Sequence, residues 1–480
     1  MRKIKVFLLI MIINFGSCLF GQSTFRELNY TKSNFIKGVD VSALEQIEEN
    51  GGVFYDDGLA MDALQIFKNH DINYIRLRLW HTPDSGYNNL ARTLEMAARV
   101  KDLGYKFLLD FHYSDTWADP GQQIKPDAWQ NLSFQTLKDS IYHYTKYVIT
   151  ALKEQNTIPD MVQIGNEIIC GLLWNDGRVC GEYNTPSQWE QLSELITEAI
   201  NGLDDSLEPT ESDSVKIMIH IDRSCDNNWC RWFFDNLTAN NVNFDVIGLS
   251  YYPWWHGLID ELEYNVNDLA QYYSKEIVIV ETAYPWTLNW FDDTHNLVGD
   301  STQLHPGYTA SVEGQTSFLH DVMETISNVP DNKGLGIFYW APEWISVPNF
   351  GSPWENVTLF DFNGELLNSI TVFDSSFSEF SEETDISGFF YILNNYPNPF
   401  NPKTTIEFSL SKTSKVNLSI YNIKGQKIIT LTDKSLKEGY HSLVWNGSDA
   451  SGQKAASGVY VYKLMVNDKA EFIRKCILLK

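Results

Sequence analysis

Val162–Ile168 reads VQIGNEI, an apolar run that ends in an amide followed at once by a carboxylate, Asn166 and Glu167. An ordinary strand end favours a turn residue and needs no such pair. A second run, EIVIVETAYP (276–285), carries Glu281 directly after IVIV. Each carboxylate closes a strand-like run, so the fold class decides whether the two meet.

Outward from these runs the chain alternates strand-like and helical patterns. The other strand candidates are FIKGVDVSAL (35–44), NYIRLRLW (73–80), YKFLLDFHYS (105–114), VKIMIHID (215–222), DVIGLSYYP (245–253) and GLGIFYWAPEW (334–344). Between them lie amphipathic stretches such as NLARTLEMAARVKDLG and QWEQLSELITEAINGL. Eight βα units within residues 34–373 predict an α/β fold, a (β/α)8 TIM barrel. A doubly wound open sheet is the alternative. It usually carries a Gly-rich phosphate turn, and no GxGxxG follows the first strand.

The remainder of the 480 residues reads differently. Tyr391–Lys480 holds 13 Lys and Arg against 6 Asp and Glu, a balance of +7, which leaves −33 for the rest of a chain whose net charge is −26. Short apolar runs broken by NG and SG turns predict a small all-β sandwich domain over 391–480. The Ser- and acid-rich stretch before it makes 374–390 a linker. At the other end, MRKIKVFLLIMIINFGSCLFGQ puts three basic residues before an apolar stretch too short to span a membrane. It reads as a signal peptide, 1–21, with Cys18 leaving a lipoprotein cysteine open. Export permits disulfides, and local pairs Cys170–Cys180 and Cys225–Cys230 are possible, with Cys476 left alone. The acidic balance argues against a nucleic-acid partner, and no later segment is apolar enough for membrane insertion.

In a parallel barrel the active site lies at the carboxyl ends of the strands. Strands four and seven would bring Glu167 and Glu281 to one mouth. Two carboxyls about 5–5.5 Å apart can act on a glycosidic bond, one as proton donor and one as nucleophile. Either acid alone would read as a solvated strand end; the supporting residues favour the pair. Arg76 and Arg78 share one strand face, and an inward arginine can hold a glutamate ionised. Asp110 and His112 also share a face, with Trp117 just beyond. His220 and Asp222 end strand five, and two histidines on neighbouring strands suggest a hydroxyl-binding cleft. Tyr252 ends strand six, where its hydroxyl can orient Glu281, and Trp340 ends strand eight as a floor for a sugar. Trp80, Trp254, Trp255, Trp286 and Trp344 read more readily as packing.

Asn166–Glu167 with Glu281 resembles clan A of the retaining glycoside hydrolases. The longer runs GVDVSALEQIEENGGVFYDDG, DFHYSDTWADPG, IGNEIICGLLWNDGR, IMIHID and FYWAPEWI resemble glycoside hydrolase family 53, the endo-β-1,4-galactanases. The resemblance covers roughly 35–373 and departs at LLWND, where a proline often follows the tryptophan. It implies a polysaccharide substrate, β-1,4-galactan, with Glu167 as acid/base and Glu281 as nucleophile. It also implies that Asn166 binds the 2-hydroxyl and that Arg76, His112, Tyr252 and Trp340 surround the cleaved sugar. The rivals are another clan A endo-glycanase, a mannanase or endoglucanase, and a non-catalytic carbohydrate-binding barrel.

No cofactor is expected for catalysis. Some members of the resembling family hold Ca²⁺ between the loops after strands seven and eight. Here Asp292, Asp293, His295, Asn296, Ser352 and Glu355 would supply it, although Phe291 stands where an acid is expected. The tail, through NYPNPFNPKTTIEFSL and VWNGSDASGQKAASGVYVYKL, resembles the C-terminal sorting domain of type IX secretion. That implies the secretion machinery as partner and a secreted or cell-surface location.

Overall fold

Strands of a parallel sheet covered on both faces have no solvent side, so their sequence is nearly continuously apolar rather than alternating. Each of the eight runs forms such a strand: β1 Ile36–Asp40, β2 Tyr74–Leu79, β3 Lys106–Phe111, β4 Met161–Ile164, β5 Lys216–Ile221, β6 Val246–Tyr251, β7 Glu276–Thr282 and β8 Gly334–Trp340. They close into a barrel in sequence order, β1 pairing in parallel with both β2 and β8. In this computed structural model, residues 34–374, 389–396 and 400–479 are described, apart from 411, 412, 423, 438, 468 and 469. The expected signal peptide, Cys18 and all but the ends of the expected linker lie outside the described residues.

Seven helices of seven or more residues cover the barrel: α1 Ala63–Asn69, α2 Leu90–Asp102, α3 Phe134–Glu154, α4 Pro186–Asp204, α5 Asn227–Ala239, α6 Ile259–Tyr273 and α7 Val312–Ser327. Their ends follow from local chemistry. Ser133 accepts from Thr136 N at the start of α3, and Thr185 caps α4 ahead of Pro186 in its first turn. Leu137, Ile141, Val148 and Leu152 of α3 recur at helical spacing and are buried against the barrel. The eighth unit departs from the expected pattern, because a 3₁₀ segment, Asn368–Phe373, follows β8. Its Ile370, Val372 and Phe373 are buried, and Lys37 Nζ on β1 donates to Phe373 O at 2.5 Å.

The barrel interior is layered. Ile36, Tyr74, Leu108, Met161, Met218, Val246, Val278 and Phe338 make an apolar plug, one from each strand. The layer above is thinned to admit them. A Cβ on Gly38 would meet the Phe338 ring at 2.3 Å, and one on Gly248 would meet Met218 Sδ at 2.6 Å. Above the plug the inward positions turn polar, and that layer holds the site.

Residues 375–480 form a second compact unit. It holds β9 Phe389–Tyr396, β10 Thr404–Leu410, β11 Ser414–Asn422, β12 Lys427–Leu436, β13 Gly439–Trp445, β14 Gly458–Val466 and β15 Ala470–Leu478. A three-stranded sheet β9-β10-β13 and a four-stranded sheet β12-β11-β14-β15 enclose a core that includes Phe408, Leu418, Trp445 and Tyr462.

One of the two possible disulfides forms, Cys170–Cys180. Cys225 and Cys230 are free thiols, which corrects the other pairing. Cys230 faces inward from α5 and donates to Arg223 O at 3.0 Å, whereas Cys225, in the loop before it, donates to Leu258 O at 3.5 Å. No helix among the described residues is long and apolar enough to cross a membrane.

Candidate active site

Arg76 organises the polar layer. Its Nη1 pairs with Asp40 Oδ2 at 2.8 Å and Glu281 Oε1 at 2.9 Å, and its Nη2 donates to Asp110 Oδ2 at 2.8 Å and Asn166 Oδ1 at 2.9 Å. One guanidinium thus ties β1, β3 and β7 to the residue pair that follows β4. Burial works against its charge, but Asp110, Glu281 and Asp40 outweigh that and raise its pKa. Asp110 accepts from Gln163 Nε2 at 2.6 Å and pairs with His112 Nε2 at 3.0 Å. Arg76, followed by His112, overcomes burial and holds Asp110 below the usual carboxylate range.

Glu281 reaches this point through an irregularity in β7. Leu249 pairs with Ile279 but Ser250 pairs with Glu281, so Val280 is bulged out of the register. A bulge shifts which residues face inward, and here it turns both Val280 and Glu281 toward the interior. Tyr252 donates to Glu281 Oε2 at 3.0 Å.

Glu167 has a different environment. Its backbone takes a φ of 48°, a conformation that costs a non-glycine residue energy and is held only where the surroundings impose it. Those surroundings are His220 and Gln123: Ile168 N donates to His220 O at 2.9 Å, and Gln123 Nε2 donates to Asn166 O at 2.8 Å. Ser250 Oγ donates to Glu167 Oε1 at 2.6 Å, and among the described residues no cation pairs with this carboxyl. Burial, then Glu281 and Asp222, hold its pKa well above the carboxylate range. Burial raises Glu281 as well, but Arg76 is the largest influence opposing it. Of two neighbouring acids, the one beside the guanidinium ionises first. Arg76 thus favours ionisation of Glu281 over that of Glu167.

Both line a cleft of about 300 Å³ with Arg76, Arg78, His112, Trp117, Asn166, Tyr252 and Trp340. Asp119, Trp255, Trp344 and Trp354 line it too. Trp340 packs against Trp354 with ring centroids 4.6 Å apart, and Trp117 lies 6.1 Å from Trp340. Arg78 forms no ion pair among the described residues; its guanidinium lies over the rings of Trp117 at 4.0 Å and Trp80 at 4.8 Å.

His220 is the one expected substrate contact that is not at the cleft. It is fully buried behind Glu167, with Nε2 at 2.9 Å from Ser250 Oγ. The inward row of β5 carries it one layer below the mouth. Asp222 pairs with Arg223 Nη1 at 2.8 Å and burial pushes it up to about 6. The sequence reading passed over Asp40, Gln163, Ser250 and Trp354. The first three sit at period two from plug residues Ile36, Met161 and Val246, a signal that strand alternation offers. Trp354 lies in an irregular loop with no such period.

Of the expected cation ligands, Asp292, Asn296, Ser352 and Glu355 are drawn together. Ser346 Oγ lies 2.6 Å from Asp292 Oδ2 and 2.8 Å from Glu355 Oε2, and Ser352 N donates to Asp292 Oδ2 at 3.2 Å. Asn296 Nδ2 reaches Glu355 Oε1 at 3.5 Å. Asp293 and His295 are exposed instead, the imidazole packed 5.0 Å from the Trp290 ring. Among the described residues no further His, Asp or Glu joins Asp292 and Glu355 in a cluster of three.

A closed parallel barrel whose mouth holds two carboxyls in unlike electrostatic surroundings among tryptophans defines a glycoside hydrolase. The chain belongs to glycosyl hydrolase family 53, whose model matches residues 36–373. It is 32% identical over 384 residues to an endo-beta-1,4-galactanase of Bacillus subtilis, covering 71% of this chain and 85% of that one. It is 33% identical to an arabinogalactan endo-beta-1,4-galactanase of Cellvibrio japonicus, covering 68% and 86%. The family 53 catalytic domain of Ignisphaera aggregans superposes with a TM-score of 0.66 at 40% identity, over 71% of this chain and 95% of that one. Residues 400–469 match a FlgD Ig-like domain.

Proposed function

We propose that the barrel hydrolyses β-1,4-galactosidic bonds within galactan side chains, with retention of configuration. Glu281 attacks the anomeric carbon, Glu167 protonates the departing oxygen, and Glu167 then takes a proton from the water that releases the glycosyl-enzyme. The carrying observation is the asymmetry of the pair: Arg76 pairs with Glu281 at 2.9 Å, and among the described residues no cation pairs with Glu167. In this reading Asn166, next to Glu167 and anchored through Oδ1, meets the 2-hydroxyl, and Trp340 and Trp354 offer apolar faces to the sugar. Proton NMR of the first-formed sugar tests the mechanism, with the β-anomer expected; an initial α-anomer overturns it. Reducing-sugar release from galactan, mannan and cellulose side by side tests the substrate, and comparable rates on mannan favour the rival clan A reading.

A structural Ca²⁺ in the loops after β7 and β8 belongs to the same proposal. Ser346 has one hydroxyl hydrogen for two carboxylates, and Asn296 Oδ1 is buried without a hydrogen-bond partner. Uncompensated oxygens of this kind suit a hard cation. Asp292, Asn296, Ser352 and Glu355 would hold it, and it would brace the loop that carries Trp354.

We further propose export through the N-terminal segment, and that the C-terminal β domain serves as a type IX sorting handle that delivers the enzyme to the cell exterior. The support is the family-like YPNPFNP entry and the basic balance of the tail beside a strongly acidic barrel. Fractionation of cells that express the full chain tests it, with the enzyme expected outside the cytoplasm.

A further inference from the structure

Ser250 and His220 have no part in the chemistry above, yet they bear on its acid. His220 Nδ1 faces two donors, Gln163 Nε2 at 3.0 Å and Glu167 N at 3.4 Å. It also lies 3.0 Å from Asn166 Oδ1, but Glu167 N can only donate, and Gln163 Nε2, with one hydrogen given to Asp110, has its other for Nδ1. Nδ1 is therefore an acceptor, and in a neutral imidazole the hydrogen then sits on Nε2. Burial, then Arg76, keeps this ring neutral. Nε2–H donates to Ser250 Oγ at 2.9 Å, so the serine hydrogen is left to point at Glu167 Oε1, 2.6 Å away.

We propose that Ser250 and His220 are positioning residues that confine the acidic proton of Glu167 to Oε2. Oε1 is occupied as an acceptor from Ser250, and Oε2 receives no hydrogen bond among the described residues. The Glu167 side chain lines the cleft. A proton on Oε2 is free to meet the glycosidic oxygen, whereas one on Oε1 would be turned into the barrel. His220 acts twice, since its ring also receives Glu167 N and its carbonyl receives Ile168 N at 2.9 Å. Its backbone and ring thus hold the strained turn that presents the acid. The titratable groups around Glu167 are Glu281 from β7, His220 and Asp222 from β5 and its end, Tyr252 after β6, and Asp119 after β3.

The inference rests on Glu167 being the acid/base, and the test separates the two. Ser250→Ala, Ser250→Thr and Glu167→Ala are compared by kcat/KM on galactan and on a dinitrophenyl β-galactoside, whose leaving group needs no proton. Ser250→Ala should lose roughly 10-fold or more on galactan, the scale of one charge-assisted hydrogen bond, and change little on the aryl substrate. Ser250→Thr, which keeps the hydroxyl, should restore the galactan rate. The donated hydrogen bond favours ionised Glu167, so its loss should move the alkaline limb of the galactan profile to higher pH. Equal losses on both substrates with an unmoved alkaline limb overturn the proposal, since mere disturbance of neighbouring Glu281 would give that result. If Glu167→Ala itself fails to discriminate between the substrates, the acid/base reading falls and the positioning role with it.

Discussion

Arg76 Nη1 bridges Asp40 and Glu281, so the charge that favours ionisation of Glu281, the proposed nucleophile, also neutralises a buried aspartate on the first strand. Structure and chemistry therefore share one side chain. Arg76→Met should lower kcat/KM on galactan by at least about 100-fold, because a nucleophile without its cation is protonated at neutral pH. The sign is fixed: loss of the guanidinium raises the pKa of Glu281, so the acid limb of the profile moves to higher pH. The same change leaves Asp40 and Asp110 buried without their partner and should cost about 3–5 kcal/mol in denaturant unfolding.

The converse coupling runs from Glu281 to Glu167. After burial, Glu281 is the largest cause of the raised pKa of Glu167. Glu281→Gln removes that negative neighbour, so Glu167 should titrate at lower pH than in the parent. Carboxyl difference infrared spectroscopy of the two proteins reads this directly, and an unmoved band would mean that the carboxyls do not sense each other.

The tryptophan pair is open to a separate test. Trp340 and Trp354 line the cleft with centroids 4.6 Å apart, and neither makes a polar contact there that a phenylalanine would lose. Trp354→Ala should raise KM for galactan by about 10-fold, the scale of one to two kcal/mol for a lost aromatic contact. Trp354→Phe should retain most of the affinity. A fall confined to kcat would argue that Trp354 shapes the carboxyl pair rather than the sugar site.

The barrel was legible because parallel strands leave long apolar runs, and the two glutamates because each closes one. What was not legible depended on register and depth. IRLRL presents Arg76 and Arg78 on one face, yet Arg76 lies among four acceptors and Arg78 lies against two indoles. The bulge at Val280 turns Glu281 inward, and no residue in IVIVET announces it. His220 was expected at the cleft because position alone does not say whether an inward residue is in the top layer or beneath it. Cys225 and Cys230 are close in sequence, but one of them is committed to the inward face of a helix.

Calcium predicts a different signature from these substitutions. If the cation satisfies Asp292, Glu355 and Asn296 Oδ1, EDTA should lower Tm and added Ca²⁺ should restore it, since a ligand of the folded state alone stabilises by mass action. Glu355→Ala should abolish the Ca²⁺ dependence of Tm. Neither Glu281 nor Glu167 is among these ligands, so kcat at low temperature should change little. A melt unmoved by thorough chelation would remove the metal from the proposal.

The boundary between the units yields the last prediction. The barrel has its own core, and that core extends through Ile370, Val372 and Phe373, the last of these fully buried. Asp374 Oδ1 lies 3.0 Å from His70 Nδ1. The C-terminal sheets enclose a separate apolar cluster that includes Trp445 and Tyr462. Two units with separate cores fold independently in general. A chain ending at Asp374 should therefore match the full chain in kcat/KM on soluble galactan and in the Tm of the barrel. A chain ending at Leu367 should not, because burying each of the three lost apolar side chains is worth about 1.5–3 kcal/mol and total stabilities are only about 5–15 kcal/mol. In the native host, the chain ending at Asp374 should stay inside the cell while the full chain reaches the exterior. A large fall in activity on soluble galactan for the chain ending at Asp374 would assign the tail a part in sugar binding, and normal delivery without it would end the sorting proposal.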